Sequence, residues 1–146
     1  MTRIAVLVSG GGTNLQALID AQGRGELKNG VIAAVISSRA DAFALERAAR
    51  AGIPGYVVSR KDYGSNREMT AALVEQLRGL EIGLVVLAGF LHILTEEMVQ
   101  AYPNAILNVH PALIPSFCGA GYYGLRVHEA ALAKGVKVTG ATVHLV

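Results

Sequence analysis

Two short segments carry the side chains best suited to chemistry. The first is Asn108-Val109-His110-Pro111, at the end of the apolar run Ala105-Ile106-Leu107. In an extended strand, residues two apart share a face. Asn108 and His110 would therefore present an amide donor and a proton-transfer group together, with Pro111 stopping the ladder just beyond. An imidazole titrates close to working pH, which suits His110 to move a proton to or from a reacting atom. His92, His128 and His144 have no such neighbour, and taken singly each reads as a hydrogen-bonded structural residue.

The second segment is Ser9-Gly10-Gly11-Gly12-Thr13-Asn14, between the run Ile4–Val8 and the amphipathic start Leu15-Gln16-Ala17-Leu18. A glycine turn from strand to helix is an anion cradle. Backbone N–H groups can approach an oxyanion there, and the helix N-terminus adds free donors and partial positive charge. Thr13 and Asn14 would add side-chain donors. A dinucleotide fingerprint starting at Gly10 would need glycine where Leu15 stands, and the Lys-Ser/Thr pair of nucleoside triphosphatases is absent. One phosphate monoester fits best; the plainer reading is a tight turn with Thr13 or Asn14 as a helix cap.

These segments need a frame that brings them together. Unbroken apolar runs recur at Ile4–Val8, Val31–Ile36, Leu84–Leu87, Ala105–Val109 and Thr142–Val146, with Gly55–Val58 a weaker sixth. Runs that do not alternate read as strands buried on both faces, the mark of a parallel sheet. Helical patterns lie between them. They span Asn14–Ala21, Ala42–Ala51 with Asp41 as cap and Gly52 as stop, Glu68–Leu77, a helix opening on Glu96 and Glu97 after the cap Thr95, and Leu125–Lys134 closing at Gly135. This alternation predicts an α/β fold, an open doubly wound, mostly parallel sheet with helices on both faces. Ligands of such sheets bind beyond the carboxyl ends of the strands, where both segments fall.

Composition narrows the rest. The 146 residues are 52% apolar and 16% charged, enough for one core, so residues 1–146 are expected to form a single domain. A net charge of +2 without any Lys/Arg run gives no footprint for nucleic acid. Leu84–Leu94 is too short to span a bilayer, so no membrane partner is expected. A lone Cys118 excludes an internal disulfide and no Cys/His pair has zinc-ligand spacing; a cytoplasmic protein without a metal is expected.

The segment Asn108-Val109-His110-Pro111-Ala112-Leu113-Ile114-Pro115 resembles the signature of enzymes that transfer or hydrolyse the formyl group of 10-formyltetrahydrofolate. Ser9–Asn14 is similar to the loop of the branch that formylates glycinamide ribonucleotide. So are Asp41–Ala48, Val86–Phe90 and Gly140–Val146, and the resemblance covers the whole chain. It implies a formyltransferase fold, Rossmann-like in its N-terminal part, acting in purine biosynthesis as monomer or homodimer, with glycinamide ribonucleotide as substrate and 10-formyltetrahydrofolate as cosubstrate. Residue by residue, it implies that Gly12, Thr13 and Asn14 hold the substrate phosphate and that Asn108 and His110 are catalytic, with His144 in support. It further implies that Leu87, Phe90, Leu91, His92, Ile93 and Leu94 line the pteridine pocket with Val99 nearby.

Such a site needs no nucleophilic Ser or Cys, so Cys118 reads as incidental. Many family members have Met-Arg where this sequence has Leu91-His92, and the family carries an essential Asp, in an Asp-Gly-Gly loop, beyond the strand of His144. The sequence ends at Val146. The expectation is a C-terminally truncated domain lacking that Asp, with impaired activity. Other readings are a formyltransferase acting on methionyl-tRNA, which would carry a further nucleic-acid-binding domain, a deformylase with a regulatory domain ahead of the first strand, and a noncatalytic nucleotide-phosphate-binding module.

Overall fold

The computed structural model describes residues 1–110, 129, 133, 134 and 142–146. The Pro111 strand stop, the loop around Cys118, most of the expected helix Leu125–Lys134 and the side chain of His110 lie outside the described residues.

Six strands form one sheet: β1 (Thr2–Val8), β2 (Gly30–Ser37), β3 (Gly55–Val57), β4 (Leu84–Leu87), β5 (Ile106–His110) and β6 (Thr142–Leu145), in the order β3-β2-β1-β4-β5-β6. β1 to β5 pair in parallel. Among the residues up to 110 the α-helices are α1 (Thr13–Gly23), α2 (Phe43–Arg50), α3 (Asn66–Gly79) and α4 (Glu96–Ala101).

Alternation along β1 divides the interior. Ala5 and Leu7 pack with Met69, Leu73 and Leu77 of α3 and Met98 of α4, whereas Val6 and Val8 pack with Leu15 of α1 and with Ala44 and Ala48 of α2. Helices therefore cover both faces of the sheet, as the unbroken apolar runs require. Full burial of each larger side chain contributes roughly 1.5–3 kcal/mol, so the strands are held on both sides and their carboxyl ends are fixed in relative position.

The last strand departs from the expected pattern. β6 runs antiparallel to β5 at the end of the strand order, with Thr142 and His144 half-buried and Val143 and Leu145 exposed. An antiparallel strand tolerates one open face, so its burial alternates, and here Thr142 and His144 take the half-buried side while the apolar Val143 and Leu145 are exposed. The caps also differ. α2 begins after Ala42 rather than Asp41, because the Asp41 carboxylate is engaged by both Arg39 nitrogens, at 3.0 and 2.9 Å. Thr95 does occupy the cap position of α4, but its hydroxyl bonds the Glu97 carboxylate instead of a backbone N–H.

Candidate active site

The strand order reverses direction at β1, whose neighbours are β2 on one side and β4 on the other. The crevice beyond β1 and β4 is therefore the topological switch point at which doubly wound sheets bind ligands. Three segments reach its rim: the glycine loop after β1, the loop Ala88–Leu94 after β4, and the end of β5. Register holds them level, since Leu87 of β4 pairs with both Leu7 and Asn108.

In the glycine loop, Gly12 takes the left-handed conformation, φ 76°, and stands at the cap position of α1. A Cβ there would come within 2.6 Å of the Ala44 Cβ, so both the turn and the close approach of α2 demand glycine. With glycine at the cap, neither Thr13 nor Asn14 caps the helix; both lie exposed in its first turn. The Gly10 and Gly11 carbonyls accept from the Ala44 N–H at 3.1 Å and the Arg47 Nε–H at 2.7 Å.

The loop after β4 turns at Gly89, φ 78°, and its backbone is pinned at both ends. The Leu91 N–H donates to Ser9 Oγ at 2.9 Å, and the Thr95 N–H donates to Thr70 Oγ1 at 3.2 Å. Ser9 is buried and also lies 2.6 Å from the Ser38 hydroxyl, so one side chain ties the ends of β1, β2 and the β4 loop together. Leu87, Phe90 and Leu94 pack against the core, while Leu91 and Ile93 stay exposed. His92 stands edge-on to Phe90 with ring centroids 5.7 Å apart, and Val99 is exposed on α4. This segment offers a fixed backbone with apolar side chains directed outward, which suits a flat, partly apolar ligand.

At the end of β5, Asn108 pairs with His144 of β6 across the antiparallel ladder, and Asn108 Nδ2 lies 3.2 Å from His144 Nε2. His144 Nδ1 is 3.1 Å from the Leu145 carbonyl oxygen, which can only accept. A proton on Nδ1 serves that contact and leaves Nε2 to accept from the Asn108 amide. His110 follows two residues along the same strand, in register with Thr142.

The tethers made by Ser38, Ser9 and Arg47 escaped a reading by residue type, because a buried hydroxyl or a guanidinium bonded to a carbonyl 36 residues away leaves no local pattern. An open cavity of about 690 Å³ lies elsewhere, beyond β2 and β3, lined by Arg39, Asp41, Ser59 and Lys61 among others. Ser38 also borders it, but neither the glycine loop nor Asn108 or His144 does.

A doubly wound α/β sheet with a glycine loop after β1 and an amide–imidazole pair at the end of β5 defines a class of α/β folds that bind ligands at the carboxyl ends of their strands. The match to known proteins is narrower. The formyl transferase family model matches residues 2–146, and the chain belongs to that family. It is 44% identical over 146 residues to phosphoribosylglycinamide formyltransferase of Haemophilus influenzae, covering 100% of this chain and 66% of that protein. It is 45% identical over 144 residues to the human trifunctional purine biosynthetic protein adenosine-3, covering 99% of this chain and 14% of that one. The crystal structure of glycinamide ribonucleotide transformylase 1 from Symbiobacterium toebii superposes with a TM-score of 0.91 at 46% identity, over 100% of this chain and 66% of that one. The chain thus spans just under two thirds of the length of these bacterial relatives and a much smaller part of the multifunctional protein.

Proposed function

We propose that residues 1–146 form one domain of a glycinamide ribonucleotide formyltransferase, which moves the formyl group of 10-formyltetrahydrofolate to the amine of the ribonucleotide in purine biosynthesis. The observation that carries this is the convergence at one sheet end of three parts: a glycine loop with its carbonyls bonded to α2, a backbone-pinned apolar loop, and Asn108 beside His144. The names of the relatives point the same way.

In this proposal the N–H groups of Gly12, Thr13 and Asn14, with the two side chains, hold the substrate phosphate. Leu87, Phe90, Leu91, His92, Ile93 and Leu94 line the pteridine pocket, with Val99 at its margin. The substrate amine attacks the formyl carbon, a C–N bond forms, and charge collects on the formyl oxygen. Asn108 and protonated His110 stabilise that oxyanion; one such donor is worth about 2.7–4 kcal/mol. Collapse expels the folate nitrogen, which gains a proton as the attacking nitrogen loses one, and His110 serves that transfer. His144 is the support that orients the Asn108 amide. The proposed setting is cytoplasmic, with the protein a monomer or homodimer and no metal in the mechanism.

The test is an acceptor comparison with the full-length natural protein. Glycinamide ribonucleotide, methionyl-tRNA and water are offered separately with 10-formyltetrahydrofolate. Formylation of the ribonucleotide at a rate far above the other two supports the proposal; preference for either of the others, or no transfer to any, refutes it.

A further inference from the structure

The glycine loop is held from behind by α2, and the bonds that hold it have a direction. The Gly10 carbonyl accepts from the Ala44 N–H at 3.1 Å, the Gly11 carbonyl from Arg47 Nε–H at 2.7 Å, and the Gly12 carbonyl from the Gln16 N–H at 2.8 Å. Three successive carbonyls are therefore engaged by the helices. In a trans peptide the N–H points opposite to the carbonyl it shares a plane with, so engaging these carbonyls turns the N–H groups of Gly11, Gly12 and Thr13 the other way. Successive N–H groups presented in this manner make a concave anion site.

Of the three tethers, only the middle one is a side chain. Arg47 is half-buried on α2 and is itself fixed on several sides. Its Nε donates to Gly11, a terminal nitrogen reaches Gln16 Oε1 at 3.3 Å, and its guanidinium carbon lies 4.9 Å from the Phe43 ring centroid. Gln16 is held in turn by the hydrogen bond its Nε2 donates to Asp20 Oδ1, at 2.9 Å. A guanidinium suits this position because its donors form a rigid planar fork that also stacks on an aromatic face. A lysine offers one compact ammonium without that geometry.

We propose that Arg47 is a positioning residue for the substrate phosphate: by fixing the Gly11 carbonyl it aims the Gly12 N–H at the phosphate, without touching the phosphate itself. This rests on the phosphate-loop assignment made under the proposed function. The bonded face of the guanidinium is turned to the Gly11 carbonyl, the side of that peptide opposite the Gly12 N–H. Arg47 therefore acts through loop geometry rather than as a direct cationic ligand.

The experiment uses the full-length natural protein and its Arg47→Lys and Arg47→Met variants. Dissociation constants are measured for glycinamide ribonucleotide, for its dephosphorylated nucleoside and for 10-formyltetrahydrofolate, together with KM and kcat for transfer. Both variants are expected to bind the ribonucleotide about tenfold more weakly, the loss of one well-placed hydrogen bond. Nucleoside and folate affinities should be unchanged, and KM should rise with little change in kcat. If Arg47→Lys behaves as wild type, charge rather than the fork matters and the proposal is overturned. Equal weakening for all three ligands overturns it too, because that marks a general structural role. If the wild-type protein binds ribonucleotide and nucleoside equally, the phosphate-loop assignment fails, and the Arg47 proposal with it. If the wild type discriminates and the variants discriminate as well, only the Arg47 proposal fails. Should Arg47→Met not fold, Arg47→Lys alone decides by the same criteria.

Discussion

Asn108 and His144 face one another across the β5–β6 ladder, with the amide nitrogen of one 3.2 Å from Nε2 of the other. Because Nδ1 of His144 is committed to the Leu145 carbonyl, the ring can accept from Asn108 only while Nε2 carries no proton. The imidazole therefore sets which way the amide points. Replacing Asn108 by Ala removes a donor from the proposed oxyanion site and should lower kcat about 10²–10³-fold. Replacing His144 by Ala leaves the amide in place but unoriented, and its effect on kcat should be smaller. Steady-state kinetics on both variants checks the order; a larger loss for His144→Ala would contradict it.

The phosphate assignment makes a separable prediction. Replacing Thr13 and Asn14 together by Ala should weaken binding of glycinamide ribonucleotide far more than binding of 10-formyltetrahydrofolate, since both residues lie at the start of α1 and away from the β4 loop. Calorimetric titration with each ligand measures this. Equal losses for the two would show that the loop does not hold the phosphate.

Ser9 joins the two halves of the crevice, and its loss should be felt by both. In Ser9→Ala the Leu91 N–H and the Ser38 hydroxyl each lose a buried partner, a cost of about 1–3 kcal/mol for an unsatisfied group. A fall in unfolding free energy of that size, read from chemical denaturation, with weaker binding of both ligands, is expected. Unchanged stability would mean that the β4 loop is held by other contacts.

A fourth prediction concerns acid. The Glu97 carboxylate is held below its ordinary range, first by the Thr95 hydroxyl, then by its own backbone N–H at the start of α4, with Arg67 Nε 2.6 Å away. A carboxylate whose folded pKa is depressed adds stability that is present above its unfolded pKa and lost as pH falls through the folded value. Arg67 is exposed, so the contribution is small. Wild type should therefore lose melting temperature on acidification through the carboxylate range slightly more steeply than Glu97→Gln. Parallel profiles would assign Glu97 no role in acid sensitivity.

The parts legible in sequence are those written in local pattern. Val6, Val8, Val35 and Val85 lie in unbroken apolar runs because both faces of a doubly wound sheet are covered, and these runs locate β1, β2 and β4 within a residue or two. The glycine run 10–12 stands out in sequence, and Gly12 within it is the position where the turn and the helix pressed behind it demand glycine. The direction of β6 was not legible, since a four-residue strand at the end of the sheet reads the same whichever way it runs. Asp41 looked like a helix cap, but a neighbouring Arg39 competes for its carboxylate, and sequence pattern does not rank the two partners. The Ser9–Leu91 and Arg47–Gly11 bonds join residues 82 and 36 positions apart, so only the folded sheet brings them together. The candidate wall Phe90–Leu94 came from resemblance to the formyltransferases.

The most direct measurement is formation of the formylated ribonucleotide from 10-formyltetrahydrofolate and glycinamide ribonucleotide, followed by mass spectrometry in the full-length natural protein and its His110→Ala variant. The proposed function predicts that formylated ribonucleotide accumulates in step with consumption of the folate, and that the variant is slower by about 10²–10⁴-fold, the usual worth of a positioned acid–base group. Formate released without formylated ribonucleotide, or equal rates in the two proteins, would contradict it.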